Sequence, residues 1–146
     1  MKVCLALATV SLTAAALWAA AGAPTVVTFV PHDKVTATMA KGGAIIEDKG
    51  GLRVLAQRRT AGEVEVHMKT NHVFIIVEGE ATFITGGTLV GSRQTAPNEV
   101  RAASVQGGQT HHLTKGDVVT IPANTPHWFK EVPTKTIAYY AVNTEN

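Results

Sequence analysis

An all-β fold is what this sequence predicts, and three features carry the prediction. From Pro24 onward no stretch sustains the apolar spacing of an amphipathic helix. Short runs rich in Val, Ile, Thr and Phe recur instead, each of strand length. Between them stand turn signals, at Lys49-Gly50-Gly51, Lys69-Thr70-Asn71, Glu78-Gly79-Glu80, Gly86-Gly87, Gly107-Gly108 and Lys115-Gly116. Many short strands with regular turns indicate a sandwich or barrel.

The chain opens with a different kind of segment. Met1-Lys2 gives a short positive start, Val3 to Ala21 is apolar and uncharged, and Ala19-Ala20-Ala21 offers a small-x-small cleavage pattern. Pro24 disfavours a cut directly after Ala23. Residues 1–23 are therefore expected to be a removed signal peptide and 24–146 a single domain, exported to the periplasm or secreted. An uncleaved anchor is the competing interpretation, since the apolar stretch approaches the ~18–20 residues that span a bilayer. Cys4 is the only cysteine and lies inside this segment, which leaves the mature chain without a disulfide or a thiol nucleophile.

The expected strands follow in order: Ala44–Ile46, Leu52–Arg58, Glu63–Met68, Val73–Glu78, Ala81–Thr85, Asp117–Ile121 and Thr136–Val142. His111 and His112 precede Leu113 in a further short strand. The stretch from Thr88 to Gln109, broken by Pro97 and scattered polar residues, is expected to be a loop holding one short strand. In the Val73–Glu78 strand both faces are apolar: Phe74 and Ile76, with Phe83 beyond the turn, should line the interior, while Val73, Ile75 and Val77 face the other way. That second face needs cover, from the other sheet, the N-terminal strands or another subunit. A formal charge of +2, without a basic run, argues against nucleic acid as a partner.

Chemistry concentrates in the histidines. Glu63, Glu65 and His67 alternate with Val64 and Val66 and so share one strand face. The Lys69-Thr70-Asn71 turn should fold the strand opening at His72 against it as an antiparallel neighbour, bringing Glu65, His67 and His72 together. Far along the chain, Ile121-Pro122-Ala123-Asn124-Thr125-Pro126-His127 closes a strand with a rigid turn that ends on histidine.

The spacing Gly62-x4-His67-x4-His72-x6-Gly79, followed by Gly116-x5-Pro122-x4-His127, resembles the two motifs of the cupin superfamily. The resemblance covers Gly62 to Phe129 and implies a double-stranded β-helix, or jelly-roll barrel, with one divalent transition metal (Fe, Mn, Zn, Cu or Ni). It implies Glu65, His67, His72 and His127 as ligands. It also implies a homodimer, with a packed monomer as the alternative. Two positions depart from the family pattern, with Glu65 where the first histidine is usual and His72 where the glutamate is usual. Three imidazoles and one carboxylate remain. Asn124 replaces the glycine of the proline turn, tolerable because Asn enters the left-handed region more readily than other side chains.

Such a donor set suits late and mid-row divalent ions and leaves coordination positions open. Glu65 could instead orient a ligand imidazole. His111 and His112 point opposite ways, so at most one faces inward, and His32 is expected in solvent. Trp128 and Phe129 are expected to pack, or else to wall the pocket mouth. Arg53, Arg58 and Arg101 are candidates for a substrate carboxylate. No general base stands out: Glu65 would serve if it is not a ligand, and Glu78 lies too far along its strand. No nucleophile-elbow or phosphate-loop motif is present. By resemblance the expected function is a small metalloenzyme of dioxygenase, lyase or isomerase type acting on a small organic molecule. The alternatives are a non-catalytic binder of a small molecule or metal, and a metal-free structural barrel.

Overall fold

The computed structural model describes residues 26–145; the expected signal peptide lies outside the described residues. The elements in chain order are α1 (His32–Lys41), β1 (Gly43–Lys49), β2 (Leu52–Arg59), β3 (Val64–His67), β4 (Thr70–Glu78) and β5 (Ala81–Thr85). There follow β6 (Thr88–Ala96), β7 (Glu99–Gln106), β8 (Gln109–Leu113), β9 (Val118–Ile121), β10 (His127–Glu131) and β11 (Ile137–Glu145). They form a five-stranded sheet in the order β1-β2-β11-β4-β9 and a six-stranded sheet in the order β6-β7-β3-β10-β5-β8. The expected all-β jelly roll is what the chain builds.

Three expectations need correcting. A helix, α1, occupies a stretch where no helical pattern was expected. Its apolar face is only Val35 and Met39, four residues apart, and none of its residues is fully buried. Local chemistry frames it: Pro31 precedes it with its carbonyl accepting from Lys34 and Val35, Asp33 and Lys41 complement its dipole, and Gly42 ends it at φ 77°. His32, its first residue, is exposed as expected.

Thr88 to Gln109 is a hairpin, β6–β7, rather than a loop, with Pro97-Asn98 as its turn. Pro97 suits the turn, where its fixed φ helps and no ladder donor is lost. Strand β6 is an exposed edge, so its side chains lack the apolar alternation that makes a strand visible in sequence.

Strands β3 and β4 are not hydrogen-bonded neighbours. Strand β3 lies between β7 and β10 in one sheet and β4 between β11 and β9 in the other. The short connection crosses the barrel, so Glu65 and His67 meet His72 across the interior.

The inner face of the five-stranded sheet can be written as rows of cross-strand partners. Arg53, Asn143, His72 and Ile121 form one row; Leu55, Ala141, Phe74 and Val119 the next. Gln57, Tyr139 and Ile76 form a third, and Arg59 with Ile137 a fourth. Against them the other sheet sets Ala81, Phe83, Leu113 and Phe129, completing the core. Phe74, Ile76 and Phe83 are buried as expected, while Val73 and Val77 are half-buried and Ile75 exposed on the outer face. Gly79 is fixed at the β4–β5 turn twice over, by φ 85° and by the Thr136 carbonyl, into which a Cβ would collide.

Candidate metal centre

Two backbone contacts hold the site together. The Pro122–Pro126 turn lays Asn124 N–H on the His67 carbonyl at 2.8 Å and Ala123 N–H on Asn71 Oδ1 at 2.9 Å. One turn is thereby fastened to the end of β3 and the start of β4, and His127 follows directly from it. Asn124 sits at φ 63°, the left-handed conformation expected of the residue replacing glycine.

His67, His72 and His127 converge, with ligand-capable atoms all within 4.8 Å of one another. Their ring centroids lie 4.8 to 5.5 Å apart. Hydrogen bonding fixes two tautomers. His72 Nδ1 donates to Asn143 Oδ1 at 2.8 Å and His127 Nδ1 to the Thr125 carbonyl at 3.0 Å. Both acceptors are oxygens, so each Nδ1 carries the proton and each Nε2 keeps its lone pair. His72 Nε2 is buried with no hydrogen-bond partner. An orphaned imidazole lone pair beside two more imidazoles fits a metal ion, which would satisfy it.

Burial keeps two of the imidazoles neutral, while the carboxylate stays charged. Burial pushes His127 down to about 4 against the Thr125 hydrogen bond, and lowers His72 against Asn143. Neutral imidazoles are the metal-binding form. For Glu65 burial pushes the other way, but the His67 hydrogen bond and the charges of Arg59 and Arg101 outweigh it and bring the carboxyl to about 2. Arg59 and Arg101 both grip Glu65 Oε1, while Oε2 faces His67 Nε2 at 3.5 Å and His127 Nε2 at 3.9 Å. Glu65 thus bridges the guanidiniums and the imidazoles. Arg101 also holds Glu99 at 2.8 Å.

Beside the cluster lies a cavity of about 70 Å³, walled by Leu55, Phe74 and Ala141 on its apolar side. Gln57, Arg59 and Tyr139 give it polar groups, and burial raises the Tyr139 hydroxyl so that it stays protonated.

The remaining sequence candidates are placed elsewhere. Arg58 pairs with Glu78 at 3.1 Å. His111 turns inward and bonds Thr85 Oγ1 at 2.9 Å; His112 is exposed, 3.9 Å from Glu80. Phe129 is in the core and Trp128 donates to the Gly62 carbonyl, so neither lines the cavity. Asn143, Arg59 and Tyr139 were missed. The strand Ile137-x-Tyr139-x-Ala141-x-Asn143 carries the signal: an amide at the end of an inward apolar alternation marks a polar site.

The family model described as Cupin matches residues 51–146. The chain belongs to the cupin family. No curated protein matches this cupin in sequence. A protein from Bacillus halodurans, 17% identical, covers 81% of each chain at a TM-score of 0.54. HppE in its Fe(II) form is 16% identical at a TM-score of 0.50, over 70% of this cupin and 48% of HppE. A cupin-like protein from Thermotoga maritima is 18% identical, over 70% and 66% of the two chains, at a TM-score of 0.49. At these identities the likeness is one of fold.

Proposed function

We propose that this cupin is a small metal-binding enzyme of the periplasm or extracellular space, with Glu65, His67, His72 and His127 holding one divalent transition metal. The observation that carries the proposal is the buried, unpartnered Nε2 of His72 facing two more imidazoles. Bound there, the metal would supply Lewis acidity and open coordination positions for a small organic molecule. That the HppE structure carries Fe(II) fits a site of this type on this barrel. Dioxygenase, lyase and isomerase chemistry all share that requirement.

The chain's own residues prepare the site. Asn143 and Thr125 lock two imidazoles in the donor tautomer. Arg59 and Arg101 hold Glu65 as a carboxylate whose free oxygen faces the imidazoles. Leu55, Phe74 and Ala141 restrict water, and Tyr139 offers a proton donor at the cavity wall. A homodimer through the outer face of the five-stranded sheet belongs to the proposal: Ile75 and Val118, cross-strand partners, are 37% and 61% exposed there. Non-catalytic binding is the second reading. It is favoured by the engagement of Glu65 with two guanidiniums, which removes the nearest general base.

Elemental analysis of chelator-free protein beside a His67→Ala/His127→Ala variant tests the site. About one equivalent of transition metal is expected in the wild type and none in the variant. Wild-type protein that carries no metal and takes none up on reconstitution would falsify the metal-dependent function.

A further inference from the structure

The inner face of β2 reads Arg53, Leu55, Gln57, Arg59, and three of these four line the cavity beside the imidazoles. Arg59 reaches that cavity with about a third of its side chain exposed (35%), while its Nη2 holds Glu65 Oε1. The same carboxylate meets His67 through its other oxygen at 3.5 Å. One carboxylate therefore spans the distance between the guanidinium and the imidazole cluster.

Arg59 and Glu65 put one guanidinium and one carboxylate on the cavity wall, paired with each other. Arg59 and Arg101 face Glu65 and Glu99, and Arg53 adds a further cation whose charge is felt at His72. A divalent metal at the histidines would add positive charge to this paired wall. A low-dielectric cavity with surplus positive charge favours an anion.

Size and lining narrow the choice. At about 70 Å³ the cavity, which opens to solvent, holds roughly two waters' worth of volume, taking ~30 Å³ for each. A carboxylate head with a short tail fits, with Leu55, Phe74 and Ala141 against the tail. Gln57 and Tyr139, cross-strand partners, add an amide and a hydroxyl beside Arg59. A guanidinium has five donors, so one held by Glu65 along one edge can still pair with a second oxyanion.

Resting on the metal-site reading above, we propose that the site takes a small organic carboxylate and that Arg59 is the residue selecting for its charge. Arg58, the adjacent sequence candidate, faces the other side of the sheet and pairs with Glu78. It serves as the control.

The test is an NMR titration of the full protein with acetate and with its uncharged isostere acetamide, at constant ionic strength. It is run on metal-free protein and on zinc-loaded protein whose zinc content has been measured. Acetate should bind at least about tenfold more tightly than acetamide, with the Arg59 Nε–Hε signal among those shifted. Arg59→Gln should erase that preference, Arg59→Lys should keep part of it, and Arg58→Gln should leave it intact. Equal affinities for the two probes, or a preference that survives Arg59→Gln in folded protein, would overturn the assignment. Should Arg59→Gln not fold, the wild-type comparison and the lysine variant decide. Protein that holds no zinc yet prefers acetate would defeat the metal reading alone; protein that binds zinc without preferring acetate would defeat the carboxylate reading alone.

Discussion

The two ends of the barrel are lined by the same strands and hold opposite chemistry. Strand β4 contributes His72 at one end and, two residues on, Phe74; β10 contributes His127 and then Phe129. At the phenylalanine end every large side chain finds rings, with Phe74–Tyr139 and Phe83–Phe129 centroids both at 4.6 Å. At the histidine end a buried nitrogen is left without a partner. One step of the strand repeat separates a packed core from a site kept deliberately incomplete. The aromatic end makes the fold, and its stability tolerates the unsatisfied group beside it.

The largest break in that contrast comes from the aromatic end. Phe83 is fully buried, so Phe83→Ala should destabilise by about 3–5 kcal/mol, read by urea denaturation. Protein that does fold should still bind metal, because the Phe83 side chain makes no hydrogen bond and, among the ligand rings, meets only that of His127, at 6.4 Å. A loss near the surface norm of ~0.5 kcal/mol would mean that the core lies elsewhere.

Acid should strike the histidine end instead. In metal-free protein His127 is lowered from 6.5 to about 4, so between those values the unfolded chain binds the proton and the folded chain does not. Its contribution is complete above pH 6.5 and is lost as pH falls through 4, worth on the order of 3 kcal/mol. Glu65 adds a second loss, from 4.5 down to about 2. Denaturation midpoints at stepped pH should fall through the first window in wild type and stay flatter in His127→Gln. Equal slopes would show that His127 is not the group responsible.

The same contrast explains what could be read from sequence. Short runs of β-branched and aromatic residues between turn signals exposed β4, β5 and β11. Spacing around glycine and proline exposed His67, His72 and His127. The β6–β7 hairpin stayed hidden because an edge strand has no apolar face to reveal it. Helix α1 stayed hidden because two half-buried apolar residues make no stripe. Assignment of β3 and β4 to different sheets depends on long-range pairing with β10 and β11, which a local turn signal does not encode. Arg59 and Asn143 were missed for a simpler reason: each lies on a strand that holds none of the three histidines, and only the long-range pairing of β2, β11 and β4 brings it beside the site.

The smallest effect sharpens the comparison most. His72 and Asn143 satisfy each other through one hydrogen bond and leave Nε2 unpaired. Replacing only Asn143 by Ala should free the His72 tautomer and weaken metal binding by about 10–100-fold, as for other partners of ligand histidines. Replacing both, as His72→Leu/Asn143→Leu, removes the hydrogen bond together with the orphaned nitrogen. Metal binding should be lost, while metal-free stability should hold or rise by about 1 kcal/mol, since apolar pairs can replace buried polar pairs at little cost. A double variant several kcal/mol less stable than wild type would mean that the pair supports the fold itself. The histidine end would then be a second core rather than a site that the aromatic core sustains.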